Sequence, residues 1–373
     1  MPGRGKRSKT NDIIHNIAIM SYNILAINPG STSTKMALFR DTEQVTTLTL
    51  RHSTEEISRF DTVANQLQWR LGLILEALEH EKIDISSLDA VIGRGGLLRP
   101  IEGGVYLINE RMCNDLRHPK LQHASNLGAL IALEIANIVG IKAYIADPVV
   151  VDEMQEVARI SGLKSCPRIS IFHALNQKAT ARRYAAEVGR DYESMNLIIA
   201  HMGGGISVSA HCRGRVIDTN NALDGDGPIA PERAGTIPAA ELAELCFSGE
   251  YSHKQVKQML TGKGGLVDIV GSNSVHDIVV RADSGDKEAR TALDAMCYTV
   301  AKYVGEMAVV LKGRVDAILL TGGIAYNACV TDAIDEYCRF IAPVKVYPGE
   351  NELESLAENA LRVLRGEVEP KEY

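Results

Sequence analysis

The sequence lacks what would tie a chain to a membrane, a nucleic acid or an oxidising compartment. No apolar run approaches the roughly 18 residues that a membrane span requires. Basic residues do not dominate: 40 Lys and Arg against 47 Asp and Glu give a formal net charge of −7, with no basic excess for a nucleic-acid partner. Seven cysteines are scattered without a Cys-x-x-Cys pair, which argues against a disulfide framework or structural zinc and fits a reducing cytoplasm. Low-complexity sequence and an obvious linker are missing as well. So are the G-x-x-x-x-G-K-[ST] loop and the protein-kinase signature set, which removes the P-loop and protein-kinase frameworks.

What is present begins with Asn23-Ile-Leu-Ala-Ile27-Asn28-Pro29-Gly30-Ser31-Thr32-Ser33-Thr34-Lys35-Met-Ala-Leu-Phe39. Two short apolar runs flank a tip of Pro, Gly and hydroxyl residues, the pattern of a hairpin. Gly30 lets backbone approach a ligand. Hydroxyls such as Ser31 and Ser33, exposed N–H groups and the Lys35 charge suit phosphate oxygens. A second copy starts roughly 173 positions later, at Asn196-Leu-Ile-Ile-Ala200-His201-Met202-Gly203-Gly204-Gly205-Ile206. A third glycine pair, Gly322-Gly323, follows the apolar run Ala317 to Leu320. Matching halves predict an internal duplication with a nucleotide between them. The length of 373 residues favours two domains.

Strands and helices alternate, so the class is α/β. Predicted helices include a stripe from Asp61 to about Glu81, one from Ser125 to Val139 stopped by Gly140, one from Leu175 to Val188, a long one near Ala289 to Lys312, and a C-terminal one from Leu353 to Leu364. Predicted strands include Ala90–Ile92, Ala143–Ala146, Ala317–Leu320 and Val344–Tyr347; Asp218 to Thr236 is expected to be a polar loop. The first residues stand apart. Met1 to Lys9 is basic, the following apolar stretch is broken by His15 and Asn16, and Met20 directly precedes the first strand. We expect Met20 to be the true start and residues 1–21 to be a disordered or mis-called extension.

One regularity concerns chemistry. Asn28, Arg94, Asp147, His201, Gly322 and Glu352 each follow the end of an apolar strand. In open α/β sheets ligands bind outside the carboxyl ends of the strands, so these six are expected in one cleft. Phosphoryl transfer needs phosphate cradles, a metal and cations over the transferring group. Glycine hairpins, Asn28 with Glu352, and Arg94 with Arg233 supply those parts. A carboxylate acceptor needs no base, being ionised at pH 7.

Segments across nearly the whole chain carry a resemblance: Ile27 to Lys35, Gly93-Arg-Gly-Gly-Leu-Leu98, His123-Ala-Ser-Asn-Leu-Gly128, Asp147-Pro-Val-Val-Val-Asp-Glu-Met154, Ser170 to Lys178, His201 to Gly205, Asn221 to Pro228, Pro231-Glu-Arg233 and Thr321-Gly-Gly323. They resemble the acetate kinase/butyrate kinase family, within the superfold of actin, hexokinase and the heat-shock chaperone ATPases. The resemblance implies two duplicated ribonuclease H-like (actin-like ATPase) domains with a nucleotide cleft between them. Residues 22–165 would form the first domain, with 353–373 packing back on it, and 166–352 the second. It implies direct in-line transfer of the ATP γ-phosphoryl to a short-chain carboxylate, with Mg2+ required and a homodimer or higher assembly.

By the same resemblance, Asn28 and Glu352 sit on the metal side, although Glu350 aligns as an alternative to Glu352. Arg94 and Arg233 hold the acceptor carboxylate and the equatorial phosphoryl oxygens. Asp147 orients the site and helps hold the metal through water. His173 donates to the transferring phosphoryl. His201, Gly203, Gly204 and Gly205 line the phosphates, and Gly322, Gly323 and Asn327 lie by the adenosine. His123 and Val150 are expected beside the acyl group, with Val149 also a candidate. Asp147-Pro-Val-Val stands where acetate kinases have Asp-Thr-Ala-Phe, and the chain is shorter than theirs, so butyrate is favoured over acetate. Branched-chain, propionate and acetate kinases remain alternatives. A nucleotide-gated chaperone-like or structural ATPase is the alternative from another class.

Overall fold

The computed structural model describes residues 21–119 and 122–373. The expectation about the N-terminal extension and Met20 lies, but for Ser21, outside the described residues. Among those residues, eleven strands form two sheets. In the first, β1 (Asn23–Pro29), β2 (Ser33–Arg40) and β3 (Glu43–Arg51) make an antiparallel meander. The chain then adds β4 (Ala90–Arg94), a short antiparallel edge strand β5 (Val105–Leu107) and β6 (Lys142–Ala146), giving the order β3-β2-β1-β4-β6-β5. The second sheet holds β7 (Asn196–Met202), β8 (Ile206–Cys212), β9 (Arg215–Thr219), β10 (Ala317–Gly322) and β11 (Val344–Pro348), in the order β11-β10-β7-β8-β9.

Without β5 the two orders are one topology: a meander extended by two parallel strands on the side of its first strand. This is the duplication that the glycine hairpins predicted. The central strands β1, β4, β6, β7 and β10 are buried on both faces, which is why they read as unbroken apolar runs. β9 occupies the start of the segment expected to be a polar loop, because a five-residue edge strand with only Val216 and Ile217 apolar has no period to detect.

The helices expected from the periodicity are present, but the first begins at Leu67 rather than Asp61, and helices such as Glu110–Arg117 and Val275–Asp283 were not expected. Helix Leu67–His80 and helix Asn126–Val139 belong to the core on one face of the first sheet. The second ends at Gly140 with φ +80°, a left-handed C-cap. Its start presses on β4: a Cβ at Gly128 would stand 2.3 Å from the Arg94 carbonyl, and one at Gly93 would stand 2.1 Å from the Gly128 carbonyl. That backbone-to-backbone approach requires glycine, and it fixes the strand end that carries Arg94. The C-terminal helix Glu352–Leu364 returns to the other face and buries Leu356, Ala357, Ala360 and Leu361 against Ile24, Ala26 and Ile92. Helix Ala174–Glu187 packs Ala181, Tyr184 and Ala185 on the second sheet and also meets the C-terminal helix, so this pair lies between the sheets. The far face of the second sheet is covered by helix Lys287–Val310 through Val300, Val304 and Met307.

Candidate functional site

The carboxyl ends of β1 and β4 carry the first cluster. Arg94, the last residue of β4, forms a salt bridge with Glu352 at 2.9 Å. Its guanidinium also lies 3.4 Å from the Asn28 amide oxygen, and the Asn28 amide nitrogen donates to Glu352. Glu352 opens the C-terminal helix after a tight turn in which Gly349 has φ +97° and Asn351 has φ +43°. The turn sends neighbouring carboxylates to different partners. Glu352 meets Asn28 and Arg94, whereas Glu350 lies 3.7 Å from Nε2 of His201.

His201 ends the apolar part of β7, and its ring stacks on that of His173 with centroids 3.8 Å apart and planes at 13°. Partners with fixed roles assign the His201 proton. The Asn176 amide nitrogen donates to the carbonyls of Gly349 and Glu350, so its Oδ1, 2.7 Å away, accepts from His201 Nδ1–H. His201 Nε2 is left buried with no hydrogen-bond partner. It lies beside Gly203, whose Cβ would stand 3.5 Å from it. An orphaned buried nitrogen at the head of a glycine triplet suits a polar ligand group. The pKa of His173 is pushed well below 6.5, first by burial and then by His201, Arg233 and Arg94, so it is a neutral imidazole at pH 7.

Arg233 comes from the loop after β9. Its guanidinium donates to the Ala222 carbonyl and lies against Gly205, where a Cβ would sit 1.4 Å from the nearer guanidinium nitrogen. Burial lowers its pKa. Arg94, His123, His173 and Arg233 line the polar side of a cavity of about 130 Å³. Leu97, Val149, Ile171, Phe172 and Leu223 give its apolar wall. His123 Nδ1 takes the Ser125 backbone N–H at 3.2 Å, which leaves its proton on Nε2.

Two expected residues are placed differently. Val150 does not line this cavity; it lies behind, in a neighbouring cavity with Leu98 and Pro100, because the turn after Pro148 points successive side chains apart and gives the near wall to Val149. Asp147 borders the cleft next to Arg94 and Glu352, but its buried carboxylate accepts from the Gly104 N–H at 2.7 Å and from Arg182 at 3.3 Å. Its φ of +38° marks a turn forced on a non-glycine residue.

The first hairpin tip contains Gly30, Ser31 and Ser33, with Lys35 exposed on β2 and near enough to Glu350 to lower that carboxyl. Under the tip lies a residue that the sequence reading passed over. Arg70, 1% exposed, donates to the carbonyls of Gly30 at 2.8 Å, Ser31 at 3.2 Å and Ser33 at 3.4 Å, and to the Thr34 hydroxyl at 3.1 Å. Burial lowers its pKa to about 10, so it stays a cation at pH 7. By engaging the carbonyls from beneath, it leaves the outer side of the tip to donors. The available signal was an arginine on the Leu67, Leu71, Ile74 face of an apolar helix. Gly322, Gly323 and Asn327 do not enter the Arg94 cavity. They form the turn after β10, where Gly322, with φ +89°, touches Met202 so closely that a Cβ would lie 2.3 Å from its carbonyl.

Comparison with known proteins gives this geometry its relatives. The model of the acetokinase family matches residues 167–347. Butyrate kinase 1 of Clostridium acetobutylicum is 54% identical over 353 residues, which cover 94% of this chain and 99% of that protein. Butyrate kinase 2 of the same organism is 52% identical over 355 residues, 95% of this chain and 100% of that protein. Among solved structures, the acetate kinase of Porphyromonas gingivalis superposes with a TM-score of 0.74 at 19% identity, covering 92% of this chain and 100% of that one. A propionate kinase from Francisella tularensis gives 0.70 at 19% identity, over 90% and 98%. The structural likeness is one of fold: helices packed on two sheets of matching strand order. With half of all positions shared along nearly the full length of those relatives, the chain belongs to the acetokinase family.

Proposed function

We propose that the protein transfers the γ-phosphoryl group of ATP to butyrate, forming butanoyl phosphate and ADP by direct in-line displacement. The observation that carries this reading is one cavity with two arginines at its polar side and an apolar wall beyond. A short-chain carboxylate matches both: its charged end faces Arg94 and Arg233, and its alkyl chain lies along Leu97, Val149, Ile171 and Leu223. Each CH₂ buried there contributes about 0.8 kcal/mol. Butyrate, two CH₂ longer than acetate, gains about 1.6 kcal/mol, or roughly 15-fold in affinity.

The acceptor carboxylate is ionised at pH 7 and attacks without a base. Arg94 and Arg233 offset charge on the equatorial phosphoryl oxygens, a role worth on the order of 10³-fold in rate. His173, neutral and half-buried, donates from Nε2. The glycines after His201 let nucleotide phosphates approach backbone N–H groups, as do Gly30, Ser31 and Ser33 opposite. Gly322, Gly323 and Asn327 border the adenosine. Glu352 and the Asn28 amide oxygen are hard oxygen donors that fit Mg2+. Two oxygen donors suit a cation that keeps its remaining sites for phosphates and water. Glu352 and the Asn28 amide oxygen would hold the cation, which would supply neutralisation of phosphate charge; in the structure both oxygens face Arg94. Asp147 holds the β6 end through Gly104 and Arg182.

Among the described residues no helix is long and apolar enough to cross a membrane. We also take the working assembly to be a homodimer or larger, which light scattering tests directly. The function is tested by trapping acyl phosphate with hydroxylamine. Acetate, propionate, butyrate, isobutyrate, valerate and isovalerate are run with Mg-ATP beside Arg233→Ala. A profile centred on butyrate and abolished by the substitution supports the reading. A peak at another acid keeps the chemistry and changes the substrate. ATP hydrolysis with no hydroxamate from any acid overturns it in favour of a nucleotide-gated ATPase.

A further inference from the structure

Behind His173 runs a line of buried polar groups hydrogen-bonded to one another. Tyr192 Oη lies 2.7 Å from His211 Nδ1, and His211 Nε2 lies 2.9 Å from Gln177 Oε1. The Gln177 amide nitrogen donates to the Ser207 carbonyl at 3.1 Å and to the Ser207 hydroxyl at 2.8 Å. The Ser207 hydroxyl lies 2.8 Å from His173 Nδ1. Gln177, Ser207 and His211 are all 0% exposed. Ser207 sits on β8 directly opposite His201 on β7, so the line ends under the stacked pair of imidazoles.

The direction of every proton in this line follows from one group that cannot donate. The Ser207 main-chain carbonyl only accepts, so the Gln177 amide nitrogen must face it and Gln177 Oε1 must face His211. Oε1 accepts, so His211 carries its proton on Nε2. His211 Nδ1 therefore accepts from the Tyr192 hydroxyl. Burial supports the neutral state of both groups, pushing His211 well below 6.5 and Tyr192 well above 10.0. At the other end, the Ser207 hydroxyl oxygen accepts from Gln177 and lies 3.4 Å from the His173 backbone N–H. Its single proton remains for His173 Nδ1. His173 Nδ1 is thus an acceptor, and the ring proton is on Nε2.

We propose that Ser207 and Gln177 are positioning residues that fix the tautomer of His173, so that its Nε2–H is presented to the transferring phosphoryl group. In the opposite tautomer the Nε2 lone pair would face an anionic oxygen, and a donor would become a repulsive group. The inference rests on the phosphoryl-transfer reading for its consequence in rate, but the tautomer itself is observable without any reaction.

The experiment uses the full chain with ¹⁵N-labelled histidine. The His173 ring signals are assigned by comparison with His173→Asn, and rates are measured with butyrate and Mg-ATP. In the wild type at pH 7.5 the structure requires a protonated Nε2 and a bare Nδ1 on His173. Gln177→Glu is nearly isosteric, and once ionised, as its infrared carboxylate band must show at the pH of the assay, its side chain has no proton for Ser207. The Ser207 hydroxyl then turns toward it and His173 must donate from Nδ1. The two ¹⁵N signals are expected to exchange character, with kcat lower by on the order of 10²-fold and both KM values within about threefold. Ser207→Ala leaves Gln177 bonded to the main-chain carbonyl, and it serves if Gln177→Glu does not fold. It should give a mixture of tautomers with an intermediate loss of kcat. A wild-type His173 with its proton on Nδ1, or variants that keep both tautomer and kcat, overturns the proposal. A wild type with the expected tautomer but no hydroxamate from any acid would instead remove the phosphoryl-transfer reading.

Discussion

Gly205 offers the sharpest test of how the glycine triplet and the arginine share the site. A Cβ built there would stand 1.4 Å from one guanidinium nitrogen of Arg233 and 2.3 Å from its Cζ. Ordinary contact needs about 3.5 Å, so in Gly205→Ala the guanidinium must retreat by about 2 Å. The retreat is cheap for the fold. Gly205 is not among the positive-φ glycines, and the displaced atoms are the far end of a flexible side chain. The hydrogen bond to the Ala222 carbonyl is lost, at a cost of about 1 kcal/mol. Catalysis is less tolerant: a misplacement of about 1 Å already costs on the order of 10²-fold. The expected result is a kcat for butanoyl phosphate formation lower by 10²- to 10³-fold, on the order of 3–4 kcal/mol, with urea stability changed by less than about 1.5 kcal/mol. A double-mutant cycle with Arg233→Ala isolates the cause. If the alanine acts by unseating the arginine, adding it to Arg233→Ala should cost less than about threefold more. Additive losses in the cycle, or a single variant within a few-fold of wild type, would refute this account.

Four further expectations follow from the same geometry. Glu352→Gln removes the carboxylate that pairs with Arg94 and suits the metal, so the Mg2+ concentration for half-maximal rate should rise at least about tenfold; an unchanged Mg2+ dependence would transfer that role to Glu350. Leu97 and Ile171 separate the acid cavity from the neighbouring one that Val150 lines, so Leu97→Ala should shift relative kcat/KM toward valerate and longer acids by up to about fourfold per CH₂, read by the same hydroxamate assay. Arg70→Met strips four donor contacts from the first hairpin tip and should raise the KM for ATP while lowering stability by several kcal/mol, measured by kinetics and by urea unfolding. His173 and His211 have folded-state pKa values depressed below 6.5, so below that pH the unfolded chain binds protons that the native chain refuses. Stability should therefore fall as the pH drops from about 6.5 to 5.5, by up to about 1.4 kcal/mol per pH unit for each histidine, and a flat urea midpoint across that window would contradict it.

The fold was legible where the chain is buried on both faces. β1, β7 and β10 announce themselves as apolar runs, and the Asn23 and Asn196 hairpins announce each other as copies. The helices Asn126–Val139 and Lys287–Val310 have caps, stops and apolar stripes that survive in the sequence. Among the elements that went unread are short or half-wet ones: the three residues of β5, the five of β9, and helix Glu110–Arg117, whose buried Met112, Cys113 and Leu116 are spaced among five polar residues; helices Leu266–Val270 and Val275–Asp283 went unread as well. Such elements are held by their neighbours, Tyr106 pairing with Ile145 for example, and carry no period of their own.

The site was legible as a set of residue types at strand ends and not as an arrangement. Strand ends pointed to Asn28 and Arg94 on the first sheet, His201 on the second and Glu352 after β11, because parallel strands put their carboxyl ends on one edge of each sheet. It gave no means of choosing between Val149 and Val150, which is decided by a turn after Pro148, or of telling Glu350 from Glu352, which is decided by two left-handed residues, Gly349 and Asn351. Arg70, Gln177, Ser207 and His211 were invisible for a deeper reason. None touches the cleft. Each is a buried polar residue whose partners lie far along the chain: 40 positions separate Arg70 from the Gly30 carbonyl, and 30 separate Gln177 from Ser207. A buried polar group is costly unless its partner is in place, so its presence records tertiary contacts that local pattern does not encode. The consequence is specific to this site. What sets the sense of the groups facing the phosphates is the layer beneath: a cation under the Gly30 carbonyls that leaves the outer side of the tip to donors, and a serine whose one proton goes to His173 Nδ1 and so leaves Nε2–H to donate.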